Sequence, residues 1–304
     1  MTEPLGETPE LKMKELFTKV AVERVKKREG DIERSNLRHY NQLVTQFDDS
    51  AIRFALSKFQ IPIQTRVTVF GGFTGQFAES LKRIGMRVIF TDPMAEWVEQ
   101  ARKMRFESFK VAVQEMPKEL VERTDLFASF ECYPDLIGES EFYYPMMRFL
   151  TVRYGILFAE SKDTVTSMRR EEPEISQELG TFRRWVRPLY RVYGIQRKSI
   201  KTEHLSFYHL FGEPEIRKVL TVDCRVMKAV YDTFESNHRV TTVDVSTIAK
   251  GANLDKLSVE LSIERLRKLS DSIHAPFVRT FPFLASRFKG SLHIGSKRFF
   301  FVSG

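Results

Sequence analysis

Cysteine, long apolar runs and acid-paired histidines are what this chain lacks. Two cysteines, Cys132 and Cys224, occur in 304 residues. Two thiols alone cannot complete a zinc site, and usage this sparse fits a reducing compartment. No stretch approaches the roughly 20 apolar residues that a membrane-spanning helix needs. Met1-Thr2-Glu3-Pro4 has neither the basic nor the apolar region of a secretory signal. The expectation is a soluble, cytoplasmic protein with no membrane partner and no metal. His204, His209 and His238 have no acidic residue at a telling spacing, so none is a candidate base. The chain does carry an excess of positive charge, 48 Lys and Arg against 40 Asp and Glu, which favours an anionic partner. Its length and 42% apolar content allow a sizeable core and two domains.

The stretch from Arg66 to Met104 is the most informative. Val67-Thr68-Val69-Phe70 is a short β-branched and apolar run of the kind a strand buried on both faces requires. Gly71-Gly72-Phe73-Thr74-Gly75 follows at once, letting the backbone turn sharply and approach a ligand closely. The spacing of Phe77, Leu81 and Ile84 predicts a helix from about Gln76 to Gly85, with its unpaired N–H groups aimed at the crevice. Val88-Ile89-Phe90 predicts a second strand closed by Thr91-Asp92. Asp92 lies 21 residues after Gly71, where the second strand of a Rossmann-like unit delivers a carboxylate to ribose hydroxyls. Pro93 opens the next helix, whose inner stripe is Ala95, Val98 and Ala101.

At these residues the chain resembles the class I S-adenosylmethionine-dependent methyltransferases. Val67 through Gly75 lies over that family's strand and glycine-rich motif. Thr91-Asp92-Pro93-Met94 through Ala101-Arg102 lies over its acidic second-strand motif. The resemblance implies S-adenosylmethionine as cofactor, held by Gly71, Gly72, Phe73, Thr74, Gly75, Asp92, Pro93 and Met94. The chain departs from the pattern at Val69, where the family usually has an acid, and at Phe73, where it has glycine.

Phe109 to Val113 is the predicted third strand. In the resembling family the turn at its end presents a polar group to the adenine, a role open here to Gln114 or Glu115 and equally to neither, if the turn is only solvated. Asp125 to Phe130 is the fourth strand, with Phe130 at the cofactor. The loop Glu131-Cys132-Tyr133-Pro134-Asp135 then faces the transferring methyl group. Glu131 suits a general base or substrate anchor, and Tyr133 can stack on a planar substrate. Cys132 lacks the preceding proline of cysteine-dependent pyrimidine methylases and reads as structural. Met146 to Val152 fits a helix, Tyr154 to Ala159 a fifth strand, and residues 195–200 and 205–211 a closing hairpin. Phe182 to Tyr193 interleaves arginines with rings, which suits either a phosphate-and-base surface or a segment burying its aromatics.

Residues 1–60 read as a helical N-terminal cap, with Tyr40-Asn41-Gln42 either a lid over the cofactor or a helix packed on the sheet edge. Residues 61–212 form the Rossmann-like α/β domain, and residues 213–304 the order helix, strand, helix, turn, helix, hairpin of a winged helix-turn-helix. From Glu215 to Gly304 there are 15 Lys and Arg against 9 Asp and Glu, most of the chain's excess. Lys256, Arg265 and Lys268 fall on the recognition helix, with Leu257, Leu261, Ile263, Leu266 and Leu269 inward. Arg287, Lys289 and Arg298 fall on a wing that turns around Phe288 to Ser291. The expected function is methyl transfer to nucleic acid or to a protein bound on it. The alternative is a catalytically inactive, methyltransferase-like nucleic-acid-binding or assembly protein, which Val69 and Phe73 favour; a homodimer through the winged helix is also open.

Overall fold

The computed structural model describes residues 49–72, 75–130, 143–161, 186–236, 242–273, 290–294 and 298–303. The chain divides into two compact units, Met1–Phe47 and Asp48–Gly304, and every described residue lies in the second. Tyr40-Asn41-Gln42 and most of the N-terminal cap are outside the described residues.

Helix α1 (Asp49–Phe59) buries Ile52, Leu56 and Phe59. Then come β1 (Arg66–Phe70), α2 (Gln76–Arg83), β2 (Arg87–Asp92), α3 (Ala95–Lys103), β3 (Glu107–Lys110), a 3-10 turn over Val113–Glu115, α4 (Lys118–Glu122), β4 (Leu126–Phe130), α5 (Tyr143–Phe149) and β5 (Ile156–Ser161). A helix over 186–193, here α6, leads into the hairpin β6 (Gln196–Lys201) and β7 (Leu205–Phe211). The third strand is set two residues earlier than expected, because Val113 and Met116 are drawn into the core through the 3-10 turn.

The strands form one seven-stranded sheet in the order β3-β2-β1-β4-β5-β7-β6. The first five are parallel, and β7 runs antiparallel to both β5 and β6. The order 3-2-1-4-5 reverses between β1 and β4, the switch point where an open α/β sheet leaves a crevice. This is a Rossmann-like α/β fold closed by an antiparallel hairpin.

Sheet and helices share a core of aromatic rings. Phe127 stacks on Phe149 with centroids 3.8 Å apart, and Phe70 lies against both and against Phe158. The same core continues into the C-terminal helices α7 (Pro214–Ser236), α8 (Val245–Ala252) and α9 (Lys256–Ile273) through Leu220, Val226, Met227, Ile248, Val259, Leu266 and Leu269. Between α7 and α8 lies β8 (Thr242–Asp244), which pairs antiparallel with β10 (Arg298–Ser303), itself paired with β9 (Gly290–Ile294).

Two expectations are corrected in this region. Leu257 and Leu261 point outward, 63% and 48% exposed, because α9 meets the core along Val259, Ile263, Leu266 and Leu269, a stripe on the opposite side of the helix. Gly290 and Ser291 lie inside β9, not in a turn. The ladder runs from Ser303–Gly290 to Phe299–Ile294.

Candidate functional site

The site is built where β1 and β2 end. Gly71 (φ 57°) and Gly75 (φ 81°) both adopt the left-handed backbone that only glycine enters without strain. The Gly72 amide donates to the Thr91 carbonyl at 3.3 Å, and the Gly75 amide to the Gly72 carbonyl at 2.9 Å, so the turn is tied to β2 and closed on itself. A Cβ on Gly72 would stand 2.2 Å from a ring carbon of Phe90; the backbone lies directly on that ring. Gly75 is the N-cap of α2. Having no side chain, it leaves the first-turn N–H groups and the positive end of the helix dipole to whatever enters the crevice.

Asp92 ends β2 with 4% of its surface exposed. Its Oδ1 accepts the Met94 amide at 2.8 Å, an Asx turn that holds the carboxylate at the strand end and starts α3. The Thr91 hydroxyl donates to the Val69 carbonyl at 3.0 Å, fixing this end of β2 across to β1. Val69 itself is fully buried and brings no charge. Pro93 is exposed and Met94 half-buried. Phe130, at the end of β4, tilts against the buried Phe77 of α2 with centroids 5.8 Å apart. Gln114 and Glu115 lie in the 3-10 turn beyond β3, Glu115 exposed. Phe73, Thr74, Glu131, Cys132 and Tyr133 are outside the described residues.

Sequence reasoning passes over Glu160. It is buried at the carboxyl end of β5, level with Ser206 of β7, and the Tyr208 phenol donates to it. Burial, then that hydrogen bond, push the phenol up to about 12. A carboxylate ending the apolar run Ile156–Ala159 is the signal that could have found it.

In the C-terminal segment the predicted cations divide. Lys256 is exposed, as is its helix neighbour Arg267, which the prediction did not include. Lys268 pairs with Glu264 at 2.8 Å. Arg265 is committed inward: its Nε and Nη2 donate to the two oxygens of Asp223 at 3.0 and 2.6 Å, and the Tyr193 hydroxyl donates to the same carboxylate at 2.8 Å. Asp223 is completely buried. Arg298 starts β10, while Arg287 and Lys289 are outside the described residues. Among the described residues no cluster of His, Cys, Asp and Glu could hold a metal, and no helix is long and apolar enough to cross a membrane.

No family model matches this chain, and no curated protein matches it in sequence. Solved structures are similar in fold. The plantazolicin methyltransferase BpumL, in complex with a desmethyl-plantazolicin analogue and S-adenosylhomocysteine, is 14% identical over 67% of this chain and 99% of its own, with a TM-score of 0.47. A SAM-dependent methyltransferase from Aquifex aeolicus is 15% identical over 60% and 96%, TM-score 0.38. The N-methyltransferase NodS from Bradyrhizobium japonicum is 15% identical over 59% and 99%, TM-score 0.35. At these values the likeness says nothing of chemistry, and the site is read on its own geometry.

Proposed function

We propose that the chain is an S-adenosylmethionine-dependent methyltransferase acting on nucleic acid or on a protein bound to it. The observation that carries this reading is the pairing of two left-handed glycines at the end of β1 with a carboxylate at the end of β2. These groups fit the cofactor. Gly71, Gly72 and Gly75 suit close backbone approach, the start of α2 suits a negatively charged end, and Asp92 is the residue proposed to accept ribose hydroxyls. When bound, the cofactor supplies an electrophilic methyl group on a sulfonium. The protein's part is positioning: it holds the acceptor in line and excludes water. Glu131 and Tyr133, in the loop after β4, are the residues proposed to hold that acceptor, and Gln114 or Glu115 to meet the adenine. The order α7, β8, α8, α9, β9, β10 supports reading residues 213–304 as a winged helix that presents the substrate.

Calorimetric titration with S-adenosylmethionine tests the reading. The wild type should bind at micromolar levels, and Asp92→Ala should weaken binding about tenfold or more, because losing a charged acceptor costs about 1.5–3 kcal/mol. Absence of binding by the folded wild type would sink it. A second reading, a methyltransferase-like assembly protein, is favoured by the exposed Leu257 and Leu261 on α9, an apolar face suited to a protein contact, together with Val69 and Phe73.

A further inference from the structure

The pairing of β5, β7 and β6 gives one side of the sheet a polar end. Glu160, Ser206 and Lys201 are in register across the three strands, as are Phe158, Tyr208 and Ser199, and Ile156, Leu210 and Arg197. Residues in register share a face and successive residues alternate, so all of these lie on one side. Ile156, Phe158 and Leu210 belong there to the core, with Val186 and Leu189 of α6. Toward the carboxyl end of β5 the same side turns polar and opens. Ser199 and Lys201 are exposed and Tyr208 is half-buried, while Ser206 and Glu160 are buried. The Tyr208 hydroxyl donates to the Glu160 carboxylate, and the Arg197 guanidinium lies 5.1 Å from the centre of the Tyr208 ring. Ser129 of β4, in register with Phe158, brings to this side a fully buried hydroxyl that has no hydrogen-bond partner. Phe130 is level with Ala159, so Glu160 stands just past the end of β4, one strand beyond the switch point.

We infer that this polar end seats the methyl acceptor, and that the acceptor is a nucleic-acid base carrying an amino group: Glu160 accepts the amino hydrogens, Tyr208 holds the carboxylate in place, and Lys201 meets the adjoining phosphate. The ligand class follows from the order of charge, acid inside and cation outside. A carboxylate accepts N–H groups and turns away carbonyl and phosphate oxygens. Adenine, cytosine and guanine therefore suit it, whereas uracil and thymine present their one N–H between two carbonyl oxygens. The exposed Lys201, in the same row, suits the phosphate beside the base and opposes a cationic acceptor such as a lysine side chain. A base turned out of its stack is read in this manner, by its hydrogen-bonding edge within a pocket. Stability alone does not call for a carboxylate here, because ending the apolar run Ile156–Ala159 on a buried charge costs more than ending it on an amide of the same shape. The open Ser129 hydroxyl leaves a further polar contact for an entering group. The inference deepens the proposed function by naming the acceptor, and it rests on that reading for the methyl transfer but not for the binding.

The test uses the full chain and fluorescently labelled single strands of one base each, oligo-dA, oligo-dC and oligo-dT with their ribose counterparts. Binding is followed by anisotropy, and S-adenosylmethionine is titrated separately by calorimetry. The wild type should bind the adenine and cytosine strands at least about fivefold more tightly than the thymine or uracil strand at equal salt. Glu160→Gln, whose amide can donate to a carbonyl oxygen, should abolish that preference, and Tyr208→Phe should reduce it. Both should keep the wild-type near-ultraviolet signal and cofactor affinity. Lys201→Ala should weaken all strands alike and shallow the log–log salt slope by about 0.7, with the base preference kept. Absent or equal binding of the strands by the wild type overturns the inference, as does an undiminished preference in folded Glu160→Gln. If Glu160→Gln does not fold, Tyr208→Phe decides, and an unchanged preference in it overturns the inference. A wild type that shows the preference but binds no S-adenosylmethionine sinks only the methyltransferase reading, and one that binds S-adenosylmethionine without the preference sinks only this inference.

Discussion

His209 is where one residue's environment makes the sharpest quantitative demand. It lies in β7 with 3% of its surface exposed, packed against Phe59 and stacked on Phe211 at 4.7 Å. Its Nε2 is 2.6 Å from the Tyr154 carbonyl, so it carries the proton there as donor, and the buried Nδ1 has no hydrogen-bond partner. Burial penalises the imidazolium, and the pKa falls to about 4 from an ordinary value of 6.5. The unfolded chain therefore takes up a proton near pH 6.5 while the folded chain resists until about pH 4. Stability from this group is complete above pH 6.5 and is lost progressively as pH falls toward 4, on the order of 3 kcal/mol in all. Urea melts at pH 7.5 and 5 compare the two ends. His209→Gln, which keeps a donor toward Tyr154 but cannot titrate, should lose much of that acid sensitivity. An unchanged pH slope would remove His209 from the account.

At the scale of elements, the C-terminal helices depend on caps. Asp244 accepts the Thr247 amide at 3.0 Å and its hydroxyl at 2.9 Å, and Asp255 does the same for Ser258 at 2.8 and 2.6 Å. Both carboxylates are held below the usual range by those hydrogen bonds. Asn253 ends α8 in the left-handed conformation, and Arg225 of α7 donates to the carbonyls of Ala252 and Asn253 there. Asp244→Ala should cost about 1 kcal/mol, within a range of about 0.5–2. Chemical denaturation would show it as a lower midpoint at unchanged slope, and a neutral result would mean that packing alone sets the start of α8. Such caps were legible in sequence, since Asp followed three residues later by Thr or Ser names its own role. So were β1, β2 and the glycine turn, whose apolar runs and spacing admit one arrangement. The phase of α9 was not, because leucines lie on both of its faces and only contact with α7 and α8 decides which face is inner. Nor was the engagement of Arg265, whose partner Asp223 is 42 residues away and on another helix.

For the molecule as a whole, the question is whether the sheet and the C-terminal helices are stable separately. The core is continuous from Phe127 and Phe149 through Val186 and Leu189 to Leu220, Val226 and Leu266. Asp223 joins three elements within it, bound by Tyr193 of α6 and Arg265 of α9 while standing on α7. Burial and the neighbouring carboxylate hold the Tyr193 phenol well above its ordinary range, so it stays a donor at any working pH. A shared core implies that residues 48–304 unfold together, in one calorimetric transition whose van't Hoff and calorimetric enthalpies agree. Asp223→Ala removes the one anion between a buried phenol and a mostly buried guanidinium. Leaving Arg265 without its partner should cost about 3–5 kcal/mol and lower that transition by roughly 6–20 °C, since each kcal/mol moves a domain of this size by about 2–4 °C. The displacement should include the sheet, read from the near-ultraviolet signal of its packed rings, as well as the helical signal at 222 nm. Two separated transitions in the variant, with only the helical one displaced, would show that the sheet is stable without α7 to α9 and that the continuous core is contact without cooperativity.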